Sequence, residues 1–185
     1  MVNKDTSLRM QNIVFTGFMG VGKTTIGQKV ANKLYRDFID IDHEIEKEFN
    51  MPTTEIFKKF GENTFREKEK EVITRFSQQK LKILSLGGGA FLQEEVRRIC
   101  LSKCIVIFLD LSWDYWKERI DLLIDSRPVL QSKSLEEIEE LFKTRQEIYS
   151  YHHLKVTTDN LDVDEVADFI VDSLNVAWNT HEPLN

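Results

Sequence analysis

Residues Gly17-Phe-Met-Gly-Val-Gly-Lys-Thr24 fit the pattern G-x-x-x-x-G-K-[ST]. The octapeptide follows a short apolar run, Ile13 to Thr16, and opens a stretch in which Ile26, Val30 and Leu34 recur four apart. That spacing puts the three side chains on one stripe of a helix, so the pattern is strand, glycine loop, helix. Glycines there let the backbone curl until successive N–H groups point inward, and the helix N-terminus adds a favourable dipole, which together make an anion cradle. Lys23 then meets outer phosphates and the Thr24 hydroxyl reaches a magnesium ion. A plain glycine turn at a helix start is the alternative.

The rest of the chain repeats this alternation. Short apolar runs at Phe38–Ile41, Ile83–Leu86, Ile105–Leu109 and Lys155–Thr157 are separated by longer stretches of helical period. That is the pattern of parallel strands joined by crossover helices, an α/β fold with a five-stranded parallel sheet and helices on both faces. The fourth run is apolar throughout, which predicts a central strand covered on both faces. Between the second and third strands, 42–80 is too long for a simple crossover and reads as an inserted helical region with a break at Asn50 to Thr54. The stretch 119–133, of mixed polarity with one Pro, reads as a mobile lid before a helix over Leu135–Tyr149. A last helix over Val163–Val176 leaves 177–185 as a loosely held tail. At 185 residues, a single domain hides roughly 70% of the unfolded chain's surface.

Net charge excludes some partners. With 25 Lys+Arg against 31 Asp+Glu the formal charge is −6 and the pI is about 5.3. Non-specific nucleic-acid binding draws on many cations, so phosphate recognition in this chain has to be local. The two cysteines, Cys100 and Cys104, have no second pair to complete a zinc set and read as reduced structural thiols. No run reaches the length of a membrane span, and MVNKDTSLRMQ lacks the apolar segment of a signal peptide, so no membrane partner and a cytoplasmic address are expected.

Several carboxylates and cations compete for chemical roles. Asp40 and Asp42 lie two apart at the end of the second run, so on a strand both project from one side of its carboxyl edge, where open α/β sheets bind ligands. One can hold Mg²⁺ while the other accepts a proton, or Asp42 simply caps the following helix. His43 beside them reads as facing the other way, and Asp110 ranks below Asp40 as a magnesium carboxylate. Gly87-Gly88-Gly89 closes another strand and marks either a close approach to the backbone or a bulged turn. Arg66, three before Glu69, reads as a solvated ion-pair face in FREKEKE, and Arg127 and Arg145 have the same ordinary explanation, though guanidinium groups suit carboxylate and phosphate. Trp113, Tyr115 and Trp116 wrap one helix turn and read as core.

Together, GFMGVGKT, FIDIDHEIE, EIFKKFGENTFREKE, SLGGGA, the lid piece SRPVL, and Arg145 with Tyr149 four later resemble the shikimate kinases, over about residues 12 to 170. This family of P-loop kinases phosphorylates the 3-hydroxyl of shikimate with ATP, a step toward chorismate and the aromatic amino acids. The resemblance implies that Gly17, Met19, Gly20, Val21, Gly22, Lys23, Thr24 and Thr25 hold the triphosphate, with Arg119 on adenine and Arg127 closing from the lid onto the transferring phosphate. Thr24 and, through water, Asp40 would position Mg²⁺, and Asp42 would bind shikimate hydroxyls and act as base. Arg66 and Arg145 would grip the shikimate carboxylate, Phe57 and Phe65 would line its ring, Gly87, Gly88 and Gly89 would complete its pocket, and Glu69 would orient Arg66. The catalytic set is thus Asp42, Lys23 and Arg127.

The lid departs from the family pattern. Many members carry a Gly- or polar-rich stretch before Arg-Pro, whereas this chain reads Ile120-Asp-Leu-Leu-Ile-Asp125. Two rival readings remain from the residues: another small P-loop kinase of gluconate or nucleoside-monophosphate type, and a nucleotide-binding regulator without chemistry. Arg66 and Arg145 favour a carboxylate-bearing acceptor over the first, and the presence of Lys23, Asp42 and Arg127 argues against the second. A monomer is expected.

Overall fold

Strand β1 (Asn12–Thr16) is buried along its whole length, which fits a strand with parallel neighbours on both edges and helices on both faces. The computed structural model describes residues 8–123, 130–131 and 133–181. Within them the chain continues through α1 (Lys23–Leu34), β2 (Asp37–Asp40), α2 (Ile41–Phe49), α3 (Thr53–Ser77), β3 (Lys82–Ser85) and α4 (Glu94–Lys103). It ends with β4 (Cys104–Asp110), α5 (Trp113–Lys117), α6 (Ile120–Leu123), α7 (Leu135–Tyr149), β5 (Leu154–Thr157) and α8 (Val163–His181). All pairings are parallel in the order β2-β3-β1-β4-β5. The chain therefore reverses its direction of growth beside β1, and the loops after β1 and β3 meet at the carboxyl edge.

Helix α1 buries Ile26 and Val30 against the sheet, with Leu34 partly buried, as their spacing predicts. Helix α8 lies beside α1, and α3 lies beside α4, which packs on β4. Asn12 ties layers together: its amide donates to the carbonyls of Phe76 (3.0 Å) and Gln79 (2.9 Å) at the end of α3, and its oxygen accepts from Lys82 N (2.8 Å).

Four expectations need revision. The second strand stops at Asp40, and Ile41 and Asp42 belong to α2, because Asp40 is its N-cap, accepting from His43 N (3.2 Å) through Oδ1. Asp40 and Asp42 therefore do not share a strand face. The fourth strand is interior, between β1 and β5, and β1 holds the centre. Residues 177–181 are not a loose tail: α8 continues to His181, and Trp178 is buried beneath the guanidinium groups of Arg36 (5.1 Å) and Arg9 (5.9 Å). The inserted region breaks where expected, between α2 and α3, and again at Gly61, whose φ of 82° kinks α3. The lid expectation falls largely outside the described residues; its described start is the single turn α6, in which Leu122 is exposed.

Cys100 and Cys104 are both buried and free, and burial pushes both thiols well up, Cys104 to about 12, so neither is a ready nucleophile. Trp116 is fully buried and packs edge-on against Phe18 at 5.0 Å, in agreement with the core reading.

Candidate active site

The loop after β1 has a shape only glycine supplies. Gly17 has φ 143° and a β-carbon there would lie 2.6 Å from Leu109 O, while Gly22, the residue before α1, has φ 96°. Lys23 is buried at the start of α1 and donates through Nζ to the carbonyls of Gly17 and Phe18, 2.8 Å each, so its charge is held at the centre of the loop. The loop is braced from outside: Trp116 Nε1 donates to Met19 O (2.7 Å), Arg119 Nη1 to Gly20 O (3.3 Å), and Leu123 leans on Gly20.

Thr24 donates through its hydroxyl to Asp40 Oδ2 at 2.8 Å. One carboxylate therefore touches the phosphate loop with one oxygen and caps α2 with the other. Asp110, the rival, is ion-paired with Lys155 at 2.8 Å and points at the sheet's other edge. His43 is largely exposed at the rim, 3.9 Å from Glu46, and no cluster of three His, Cys, Asp or Glu capable of holding a metal occurs among the described residues.

Asp42, on the first turn of α2, reaches the glycine run: a β-carbon on Gly87 would lie 2.6 Å from Asp42 Oδ1 and 3.1 Å from Glu69 Oε1. A β-carbon on Gly89 would meet Arg66 Nη2 at 2.4 Å, and one on Gly88 would meet Met19 N at 3.3 Å. The close approach expected at this run is real, and it comes from three directions.

Arg66 is not a surface ion pair. Its Nη1 donates to Glu69 Oε2 at 2.8 Å, and Glu69 has no exposed surface. Glu62 supplies a second, exposed partner at 3.2 Å, and the rings of Phe65 (5.4 Å) and Phe57 (5.9 Å) lie beneath the guanidinium. Burial pushes the Glu69 carboxyl up to about 7, with Arg66 pulling it back and the Asp42 charge adding to the rise. Burial also lowers Arg66, but Glu69 and Glu62 more than offset it and keep it a cation. Arg145, on α7, is buried over the Phe18 ring at 5.6 Å, and burial is the largest influence lowering its pKa, with the nearby Arg66 charge lowering it further. Its Nε has no hydrogen-bond partner among the described residues.

These groups line one cleft of about 630 Å³, which brings together Met19, Gly20, Gly22, Lys23, Thr24, Thr25, Asp40, Asp42, Phe57, Phe65, Arg66, Gly87 to Gly89 and Arg145. Gly17 and Val21 lie behind it in the loop, Arg119 braces the loop from α5–α6, and Arg127 lies outside the described residues. A larger hollow of about 810 Å³ between α3 and α4 is lined by paired charges such as Lys70–Glu95 (2.8 Å) and Lys68–Glu71 (3.0 Å), and carries none of the expected site residues. Sequence reasoning missed Gln93, which donates to Glu69 Oε2 at 2.8 Å, and Trp116 as a brace, since nothing local in sequence links either to its partner.

Comparison with known proteins identifies the family. The family described as "Shikimate kinase" matches residues 19–175. The chain is 59% identical over 178 residues to a shikimate kinase of Oceanobacillus iheyensis, covering 96% of this chain and 97% of that one. A solved shikimate kinase from Acinetobacter baumannii, in complex with shikimate, superposes with a TM-score of 0.83 at 31% identity, covering 94% of this chain and 96% of that one. A gluconokinase from Sinorhizobium meliloti superposes at 0.59 with 15% identity, covering 93% and 95%, which is a likeness of fold alone. The chain belongs to the shikimate kinase family.

Proposed function

We propose that this chain transfers the γ-phosphoryl group of ATP to the 3-hydroxyl of shikimate, giving shikimate 3-phosphate and ADP, and that the cleft just described is where it does so. The observation that carries the reading is convergence. Arg66 and Arg145 stand close enough for their charges to interact, over apolar rings, in the same cleft as Asp42 and the phosphate loop. Two guanidinium groups over an apolar floor suit a carboxylate on a small ring, whereas a nucleotide acceptor needs a base-binding pocket.

In this reading Arg66 and Arg145 bind the carboxylate, Phe57 and Phe65 pack the ring, and Gly87 to Gly89 leave room for it beside Asp42. Asp42 accepts the proton of the 3-hydroxyl as that oxygen forms its bond to the γ-phosphorus; the bond to the bridging oxygen breaks and ADP leaves. Lys23 and the inward N–H groups of residues 17 to 25 neutralise the charge spread over the phosphoryl oxygens, so positioning and electrostatics supply most of the acceleration. Arg127 is assigned to the transferring phosphate, and Arg119 to adenine, on the strength of the motif resemblance.

The Thr24 hydroxyl and the Asp40 carboxylate are hard oxygen donors 2.8 Å apart, which suits Mg²⁺ held by few protein ligands together with phosphates. Bound there, Mg²⁺ would neutralise phosphate charge. No helix among the described residues is long and apolar enough to cross a membrane, in keeping with a cytoplasmic enzyme.

A coupled ADP-release assay with shikimate, gluconate and nucleoside monophosphates tests the reading. Shikimate-dependent ADP release is expected; its absence, or faster release with gluconate, would overturn it.

A further inference from the structure

Gln93 opens α4 at the position where a short polar side chain caps a helix, yet its side chain makes no cap bond. Its amide is directed elsewhere: Nε2 donates to Glu69 Oε2 at 2.8 Å, and the same oxygen accepts from Arg66 Nη1 at 2.8 Å. Glu69 has no exposed side-chain surface, and its Oε1 has no hydrogen-bond partner among the described residues. Two donors arriving from different elements hold that oxygen in place, and Arg66 takes its direction from it. Without the amide, the arginine alone would hold the carboxylate, and the two side chains could turn together.

The main chain of Gln93 is itself fixed in the turn that follows the glycine run. Its N donates to Ala90 O at 3.2 Å and its O accepts from Arg97 N at 3.0 Å. Arg97 Nη1 clamps the same turn by donating to Phe91 O (3.0 Å) and Leu92 O (2.8 Å). Gly89 and Gln93 thus address α3 from the two ends of one turn: Gly89 leaves room for Arg66 Nη2, and Gln93 pins the carboxylate that holds Nη1. The other edge of the guanidinium, Nε and Nη2, meets the exposed Glu62 at 3.2 Å each. A solvent-facing partner of that kind contributes little, so a ligand carboxylate in the cleft can replace it.

We propose that Gln93 is a positioning residue for the acceptor site: its amide fixes Glu69, Glu69 fixes the rotation of Arg66, and the Nε–Nη2 edge of that guanidinium is thereby set for the acceptor's carboxylate. The proposal rests on the reading of Arg66 as a carboxylate ligand. Setting a binding group before its ligand arrives acts on binding of the acceptor. It leaves alone the phosphate loop, where Lys23 is held by Gly17 O and Phe18 O.

The test is steady-state kinetics of Gln93→Met, Arg66→Lys and the double variant, with shikimate and ATP varied separately. Methionine keeps the length of the side chain and removes the donor. Gln93→Met is expected to raise the KM for shikimate about fivefold, the effect of one lost hydrogen bond felt through Glu69, with the KM for ATP unchanged and kcat lowered less than about twofold. In the Arg66→Lys background the same change adds little, because the group it positions has already lost its fork. If Arg66→Lys leaves the KM for shikimate unchanged, the carboxylate reading of Arg66 fails and the proposal with it. If Arg66→Lys raises that KM but Gln93→Met does not, or the two effects multiply independently, Arg66 keeps its role and the proposal is overturned. A parallel rise in both KM values marks a merely structural glutamine and also overturns it. Should Gln93→Met not fold, Gln93→Asn takes its place: asparagine is favoured at a helix N-cap, so α4 keeps its start, but its amide falls one methylene short of Glu69. A raised shikimate KM at an unchanged ATP KM in that variant supports the proposal, and an unchanged shikimate KM overturns it.

Discussion

Arg66 and Gly89 occupy adjoining space: a β-carbon on Gly89 would lie 2.4 Å from Arg66 Nη2 and 2.8 Å from its Cζ. The guanidinium is the far end of a flexible side chain, so Gly89→Ala is expected to displace it at little cost in stability. The measurable outcome is a KM for shikimate raised about tenfold, the loss of one charge-assisted hydrogen bond, with Tm little changed. Gly87→Ala pushes on Asp42 instead and should lower kcat. Interchanged effects in the two variants would contradict the assigned roles.

Asp42→Asn removes the proposed proton acceptor and keeps the shape. Turnover should fall by about 10²- to 10⁴-fold, the range for general-base catalysis, while ATP affinity measured by calorimetry stays near that of the unaltered chain. Near-normal turnover would remove the base from Asp42.

Lys23→Ala deletes the cation that Gly17 O and Phe18 O hold at the loop's centre. A fall in kcat/KM of about 10²- to 10³-fold is expected from losing one preorganised electrostatic group. An unchanged kcat/KM would refute the role.

Glu69 predicts a pH dependence of stability. Its carboxyl, ordinarily near 4.5, titrates at about 7 in the folded chain because burial disfavours the charge. The folded chain therefore holds this proton more tightly than the unfolded chain, so stability from this group is present below about 4.5 and is lost as pH rises toward 7. The slope is at most about 1.4 kcal/mol per pH unit. Urea denaturation between pH 5 and 8 should show it, and Glu69→Gln should flatten it; an equal slope in both proteins would argue against a buried titrating carboxyl.

His153 works in the opposite sense. Its Nδ1 accepts from Val106 N at 2.9 Å, so the ring must be neutral there, and burial, with His152 adding, holds its pKa below 6.5. Its contribution is present above pH 6.5 and is lost as pH falls through the depressed folded value. Replacement by Ala should remove that acid-side loss, read as the difference between the two proteins' stability curves.

The phosphate loop was legible residue by residue, because the positive φ angles at Gly17 and Gly22 and the stripe Ile26, Val30, Leu34 are local properties of a short segment. The strand end at Asp40 was misread by one residue for a local reason too: alternation along FIDID suits a strand as well as it suits a strand followed by an N-cap. Glu69 could not be read at all as a buried group. In sequence it stands in a charge run whose other members, such as Lys68 and Glu71, do pair on the surface, and only the packing of α3 against the glycine turn takes it out of water.

By itself the sequence determined the α/β alternation, the phosphate loop, the inserted helices and the kinship with a family, all of which rest on backbone conformations and spacings set within about 10 to 20 residues. Tertiary structure alone decided which charges share a cleft. Arg66 with Gly89, Gln93 with Glu69, and Tyr149 with Gly88 join residues 23, 24 and 61 apart. Contacts of that kind depend on how sheet order and helix packing bring distant loops to one edge, and no local spacing encodes them.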